Sequence, residues 1–467
     1  MRADLLADPI DGLDEALAAV DAFDHVLTAG LLRPQPAQAA GLAALAQAVA
    51  GTPLASLAAA AAEKAAAGSA GEDHFIALAG ARIALLGAAH DALLTRAAEA
   101  AGRALPGDRG PAPATASTPA QPANLLLAVR TWLCDLARVG WQGLEADIVA
   151  GAAPVVAALL AEPALRRVAV LLDGFAAELT ATCPGATAER FPVRRWADLW
   201  SRALLLTVSG AASAPATQPV TGRLLPLGVD LQEHATAVQA QVHAVFEPAD
   251  GGASRLVRAS ACAPKPDTVT GAGAWQLLRP HLSLLAAVSD GLSMELAGMP
   301  VTAEGDLIWD DARARTAAPA DPFATARVAL GGAADSAAAP LDRHPARIAV
   351  PLFLEGYAAA ATDDEAVTFT IAGHPLPVDA GRAPAAGPLA PAAVAASGAC
   401  IGLLRWDAGT FRIQPLAVET HVKKKRAAVY AGAWAGGTTD KEGAKGEKAA
   451  AEAVAVLRER AGKLLRR

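Results

Sequence analysis

The spacing of apolar residues changes once along this chain of 467 residues, and that change fixes the fold class. As far as about Thr207 they recur every three or four positions, the period of an α-helix. From Arg223 to about Ala435 they alternate with polar residues in short runs bounded by turn signals, the period of a strand. The expected fold is therefore α+β and multidomain. An all-α N-terminal half should precede a mainly antiparallel β domain, sandwich or barrel-like, and a basic helix should close the chain.

Chemistry is densest at the end of the helical half, from Phe191 to Thr207. At 100° per residue Trp196, Leu199, Trp200, Ala203 and Leu206 share one side and predict a core helix anchored by two tryptophans. Arg194, Arg195 and Arg202 share the other. Guanidinium forks suit carboxylates and phosphates, so this face is a candidate anion-binding surface; the alternative is a solvated face on which Asp198 pairs with Arg202, four residues on.

Before this stretch, Leu13–Leu32, Gln38–Ala50, Leu54–Ala67 and His74–Ala101 read as helices, followed by Leu125–Arg138, Leu144–Leu160 and Ala164–Thr180. Between the two groups, Pro106 to Pro122 holds five prolines among small residues and predicts a linker. The expected units are 1–105, the linker 106–123, a second helical unit 124–210, a β-rich domain 222–435 and a tail 436–467, with a boundary in Ser209–Thr221.

In the β-rich part the firmest expectation is a hairpin. Val238–Phe246 alternates so that Gln239, Gln241 and His243 share a face, Pro248 to Gly252 turns the chain, and Arg255–Cys262 returns. A helix over Ala274–Val288, interrupted by Pro280, should pack on the sheet. Further strands are expected at 293–296, 300–303, 306–309, 347–354, 367–372, 400–406, 410–414 and 416–422, with Asp407-Ala408-Gly409 joining two of them. Ala312–Asp321 and Val378–Ser397 read as surface excursions.

Charge is divided unevenly. Residues 421–467 hold 12 Lys and Arg against 5 Asp and Glu, whereas the whole chain carries a net charge of -7, so the body is acidic and the tail basic. An acidic body argues against a nucleic-acid groove; the tail permits contact with an anionic partner. The run Lys423, Lys424, Lys425 and Arg426 is the strongest cluster. Beyond it, a helix from Lys448 to Arg467 should present Val454, Leu457 and Leu464 on one stripe.

Four scattered cysteines fit a reducing compartment, and the acidic N-terminus has no secretory pattern, so the expected location is cytoplasmic in a bacterial-type protein. The uncharged stretch from Pro34 to Ala62 is too rich in small residues to read as a membrane span.

Catalytic motifs are missing. Gly436 to Lys441 lacks the Gly-Lys-Ser/Thr of a phosphate loop, Gly271-Ala272-Gly273 lacks the third glycine of a dinucleotide turn, and no nucleophile elbow or zinc-protease helix occurs. No two histidines stand at helical or strand spacing, so neither a metal nor a cofactor is expected. Asp310-Asp311 and Asp363-Asp364-Glu365 are carboxylate clusters at strand ends, with no partner assignable from sequence. The leading expectation is a non-catalytic interaction or scaffold protein with an unidentified protein partner. The alternatives are an enzyme whose site is assembled from distant residues where the two halves meet, and a weak nucleic-acid binder acting through its tail.

Overall fold

The computed structural model describes residues 1–103, 122–208, 210–212, 215–234, 236–279, 283–334, 337–361, 366–383, 385–422 and 425–464. Most of the Pro-rich linker, and with it the expectation for 106–121, lies outside the described residues.

The N-terminal half is helical: α1 (Asp4–Ala7), α2 (Leu13–Ala29), α3 (Pro36–Ala48), α4 (Ala55–Ala66), α5 (Glu72–Ala101), α6 (Ala123–Val139), α7 (Ala146–Ala150), α8 (Ala152–Leu160), α9 (Arg166–Thr182) and α10 (Val193–Leu206). Helices α2 and α6 each run 17 residues into a glycine with positive φ. There the two segments touch: Leu31 N–H donates to Ala137 O at 3.0 Å, and Leu32 N–H to Arg138 O at 2.9 Å. A Cβ on Gly140 would stand 2.2 Å from Gly30 N, so this crossing requires glycine for space as well as for backbone conformation. The amphipathic α10 supplies the middle of the helical core, with Trp196 and Trp200 both buried among Phe23, Phe75, Trp141 and Phe175.

The C-terminal half contains two sheets. In the first, β1 (Thr217–Glu233), β2 (Ala237–Pro248), β3 (Arg255–Pro264), β4 (Leu292–Thr302), β5 (Asp306–Leu307) and β6 (Ala314–Pro319) run in the order β1-β2-β3-β5-β4-β6. Because β1 also pairs with β4, the first five close into a small barrel. Closure falls on one long strand: β1 lies against β4 over its first half and against β2 over its second. Alternation fills the barrel with Val238, Ala240, Val242, Ala244 and Phe246 from β2, and Trp275 from α11 (Gly273–Leu278) and Leu284 from α12 (Leu284–Asp290) join that core.

The second sheet orders β7 (Val350–Glu355), β11 (Ser397–Asp407), β12 (Thr410–Val422), β10 (His374–Val378), β9 (Val367–Ile371) and β8 (Ala358–Ala361), with β13 (Lys425–Tyr430) also on β12. It packs on the barrel's outer wall through Leu225, Leu227, Val245, Ile401 and Ala417, together with Phe323 from α13 (Pro322–Thr325). Irregular register in β1 at Pro226/Gly228 reverses which residues face inward, so that Val229 and Leu231 point into the barrel while Asp230 and Gln232 point out. A Cβ on Gly228 would stand 2.8 Å from Leu416 Cβ, which marks how closely the sheets approach.

Helix α5 joins the two halves. Phe75 and Leu78 lie in the helical core, whereas Leu93 and Ala97 lie in the core of the second sheet with Ile348, Phe369 and Val394, the last from α14 (Pro391–Ala395). It is the described helix long and apolar enough to cross a membrane by length and composition, and half of its apolar window is buried inside the protein. After Gly436 the chain ends in α15 (Lys441–Leu464), whose first turns dock on α11.

The α-then-β architecture agrees with the sequence pattern, and both expected hairpins form. Several boundaries differ. Strand β1 begins inside the stretch read as a domain boundary. The segment Ala312–Asp321 carries β6 rather than a surface excursion, since Arg315, Thr316 and Pro319 pair with β4. The pairs 293–296/300–303 and 410–414/416–422 are single long strands, β4 and β12. The expected helix over Ala274–Val288 is two helices, α11 and α12.

Candidate functional site: a polar cleft where the halves meet

The alternation of β2 builds the floor of a cleft of about 490 Å³. Its even residues fill the barrel, so Gln239, Gln241 and His243 face outward, as their spacing predicted. Register adds neighbours: Gln232 lies opposite Gln239, Asp230 opposite Gln241, and Arg258 opposite His243. Asp306 of β5 stands beside Arg258 and accepts two hydrogen bonds from its guanidinium. Gln232, Gln239, Gln241, Arg258 and Asp306 line the cleft from this side; Arg405 lines it from β11 of the second sheet, Arg382 from the turn that follows β10, and His90 and Leu94 from α5. The fourth wall is a strap, residues 337–349, contributing Asp342 and Arg347. A recess of about 50 Å³ beside it, lined by His243 and Glu304, shares Arg258 and Ala349 with the main cleft.

A closed triad at the back holds the sheets together. Arg405 donates to Asp230 at 2.6 Å and to Gln414 Oε1 at 2.8 Å, and the Gln414 amide donates to Asp230 Oδ1 at 2.8 Å. All three side chains are buried. Burial alone would raise the Asp230 carboxyl, but Arg405 and hydrogen bonds from Gln232 and Gln414 hold it below the usual carboxylate range. Burial and the neighbouring Arg382 lower Arg405 in turn.

The strap is tied to the helical half by charge. Asp24 and Arg82, each 1% exposed in the side chain, form a two-point ion pair at 2.6 and 2.9 Å. Arg82 also stands 3.6 Å from Asp198, which binds Arg202 at 2.8 Å; Arg202 reaches Asp342 at 3.2 Å, and Asp342 binds Arg347 at 2.6 Å. Three carboxylates thus alternate with three guanidiniums from the helical core to the cleft. Arg343 adds a bond to Asp91 of α5 at 3.1 Å.

These burials make the fold acid-sensitive. Burial lowers His243 to about 3 and His344 to about 4, and burial raises Asp24 to about 6 despite Arg82. Both histidines are harder to protonate folded than unfolded, so their contribution is complete above the unfolded value and is lost as pH falls toward their folded values. Asp24 acts oppositely, since its folded form takes up a proton first. Between pH ~6 and ~4 the two histidines give the unfolded chain the larger proton uptake, offset in part by Asp24, and stability should fall as the pH is lowered through this window. Denaturant titrations at a series of pH values measure that fall; stability that stays flat or rises as the pH is lowered across this range contradicts the assignment.

The three arginines of the candidate anion face each meet a carboxylate of their own: Arg194 meets Asp21, Arg195 meets Glu178, and buried Arg202 meets Asp198 and Asp342. They form no common anion cradle. Lys423 and Lys424 lie outside the described residues; Lys425 belongs to β13, and Arg426 is exposed 3.7 Å from Glu419. On α15, Ala450 is buried and Glu447 pairs with Arg279 at 2.9 Å, whereas Val454 is half-buried and Leu457 exposed; the Leu464 side chain lies outside the described residues. Asp310 and Asp311 cap a short turn, binding Ala312 N and Arg313, and Trp309 and Ser283 N, respectively, away from the cleft. Asp363, Asp364 and Glu365 are outside the described residues.

Sequence reasoning missed Arg258, Asp306, Asp342, Arg347, Arg382 and Arg405. A signal existed for two of them: Arg258 and Arg405 sit within apolar strand runs, where a charge needs a partner. Among the described residues no group of three or more His, Cys, Asp or Glu is placed to hold a metal ion. Compared with known protein families, with curated proteins and with solved structures, the chain matches none.

Proposed function

We propose that this chain is a non-catalytic interaction protein of the cytoplasm that takes a small polar molecule into the cleft between its halves. The observation that carries the reading is the cleft itself, about 490 Å³ with walls from α5, the barrel, the second sheet and the strap. Its chemistry favours binding over turnover. Four of its lining side chains are guanidiniums, which keep their protons at any physiological pH and so bind without acid–base work; His90 on its wall lies against Asp91 at 2.9 Å, and His243, lowered to about 3, belongs to the adjoining recess. A ligand touching all four walls would stiffen the junction and so change what the protein presents to a partner.

The exposed distal half of α15 supports a protein partner. Its first turns are fixed by Ala450 against Gly273 and by the Glu447–Arg279 pair, while Val456 and Leu457 remain exposed beyond them. A basic helix held away from an acidic body suits an acidic protein surface, and nucleic acid is the rival occupant.

Native mass spectrometry of the full chain equilibrated with a cellular small-molecule extract tests the cleft. The expected result is an adduct of small mass that is lost in Gln239→Trp, where the indole fills the floor. Equal spectra for the two proteins refute the reading.

A further inference from the structure

We infer that the ligand of this cleft is a small multivalent oxyanion, its acidic groups held between Arg347 on the strap and Arg382 on the turn that follows β10. The inference rests on the receptor reading and adds the class of ligand.

Four guanidiniums line the cleft against two carboxylates, Asp306 and Asp342. The remaining arginine partners, Asp230 and Asp379, are not among the lining residues, and Asp230 is 3% exposed. Side-chain exposure separates the roles. Arg405 is 7% exposed and spends two nitrogens on Asp230 and Gln414, as a structural group does. Arg347 and Arg382 are 53% and 43% exposed. Among the described residues each gives one nitrogen to its carboxylate, Arg347 Nη1 to Asp342 and Arg382 Nε to Asp379, and keeps the rest of its fork for the cavity.

Cations are also crowded there. Burial lowers Arg405 and Arg347, with Arg382 adding to the effect on the first and Arg202 to that on the second, while Arg258, held by Asp306, is raised despite its burial. An anion between the walls relieves that repulsion. A planar fork recognises carboxylate and phosphate alike through paired N–H bonds, which leaves the two as sources of one chemistry. Gln239 adds an uncharged amide to the floor, and His243, neutral and buried with Nε2 unpartnered among the described residues, supplies a polar edge to the adjoining recess.

Isothermal titration of the full chain with inorganic pyrophosphate, citrate and uncharged maltotriose tests the inference. The expected result is saturable binding of pyrophosphate or citrate, the tighter one naming the source, with no binding of maltotriose. Arg347→Gln and Arg382→Gln should each weaken it roughly tenfold or more, because each removes charged hydrogen bonds. Both side chains are substantially exposed, and an unchanged unfolding midpoint establishes that the variants fold. Gln239→Trp should abolish binding and provides an independent route to the same site. Anion binding that survives both arginine substitutions lies elsewhere, as on the basic tail, and overturns the inference. If neither anion binds while the native-spectrum adduct still disappears in Gln239→Trp, the receptor reading stands and the oxyanion inference fails. If the adduct is absent as well, both fail.

Discussion

Replacing Asp230 with alanine is expected to destabilise the protein by about 3–5 kcal/mol, the cost of stranding one charge of a buried pair. Arg405 would remain with its side chain 7% exposed and no counterion, and Gln414 would lose the acceptor for its amide. The loss should exceed what the pair contributes relative to apolar residues. Asp230→Leu combined with Arg405→Met removes both charges together, and the double variant should recover most of the stability, because desolvation no longer opposes burial. Urea unfolding of the three proteins measures this. A single substitution that costs less than about 1 kcal/mol would mean that water reaches Arg405 and that the triad does not join the sheets.

Trp200→Ala is expected to cost a comparable ~3–5 kcal/mol for a different reason, the cavity left by an indole in a close-packed helical core. The ring is fully buried, with Phe23 and Phe75 at centroid distances of 6.3 and 6.4 Å. Its Nε1–H donates to Leu133 O at 2.9 Å and so ties α10 to α6. Trp200→Phe should cost less, since it keeps most of the volume and loses the hydrogen bond. Thermal unfolding distinguishes the two. Equal effects from both substitutions would assign the loss to the hydrogen bond instead of the cavity.

What could be read from the sequence follows from the range of each interaction. Helical and strand periods are local, so α10, the β2–β3 hairpin and the β11–β12 hairpin are legible, and the outward face of Gln239, Gln241 and His243 with them. Strand β6 is not, because Ala314–Pro319 has no apolar alternation and owes its conformation to pairing with β4. The start of strand β1 was missed for a related reason: Thr217 to Val220 falls in the stretch read as a domain boundary and gains its order from β4, far along the chain. The cleft was legible only by half. Its floor comes from one alternating strand, but Arg347 and Arg382 lie in connections, and Arg405 becomes part of the site through a contact with Asp230, 175 residues away. Pairings at such separation leave no trace in periodicity.

Because α5 is seated at both ends, its length is a matter of phase. The helix turns about 100° per residue. One residue added near Gly87 would leave Phe75 and Leu78 in the helical core yet swing Leu93 and Ala97 away from Ile348 and Phe369, while His90 and Leu94 would leave the cleft wall. Elsewhere a lengthened loop is absorbed where it occurs. Here the error would be carried like a wrong angle along a rigid shaft, and the helical half could reach the sheet only by turning as a whole.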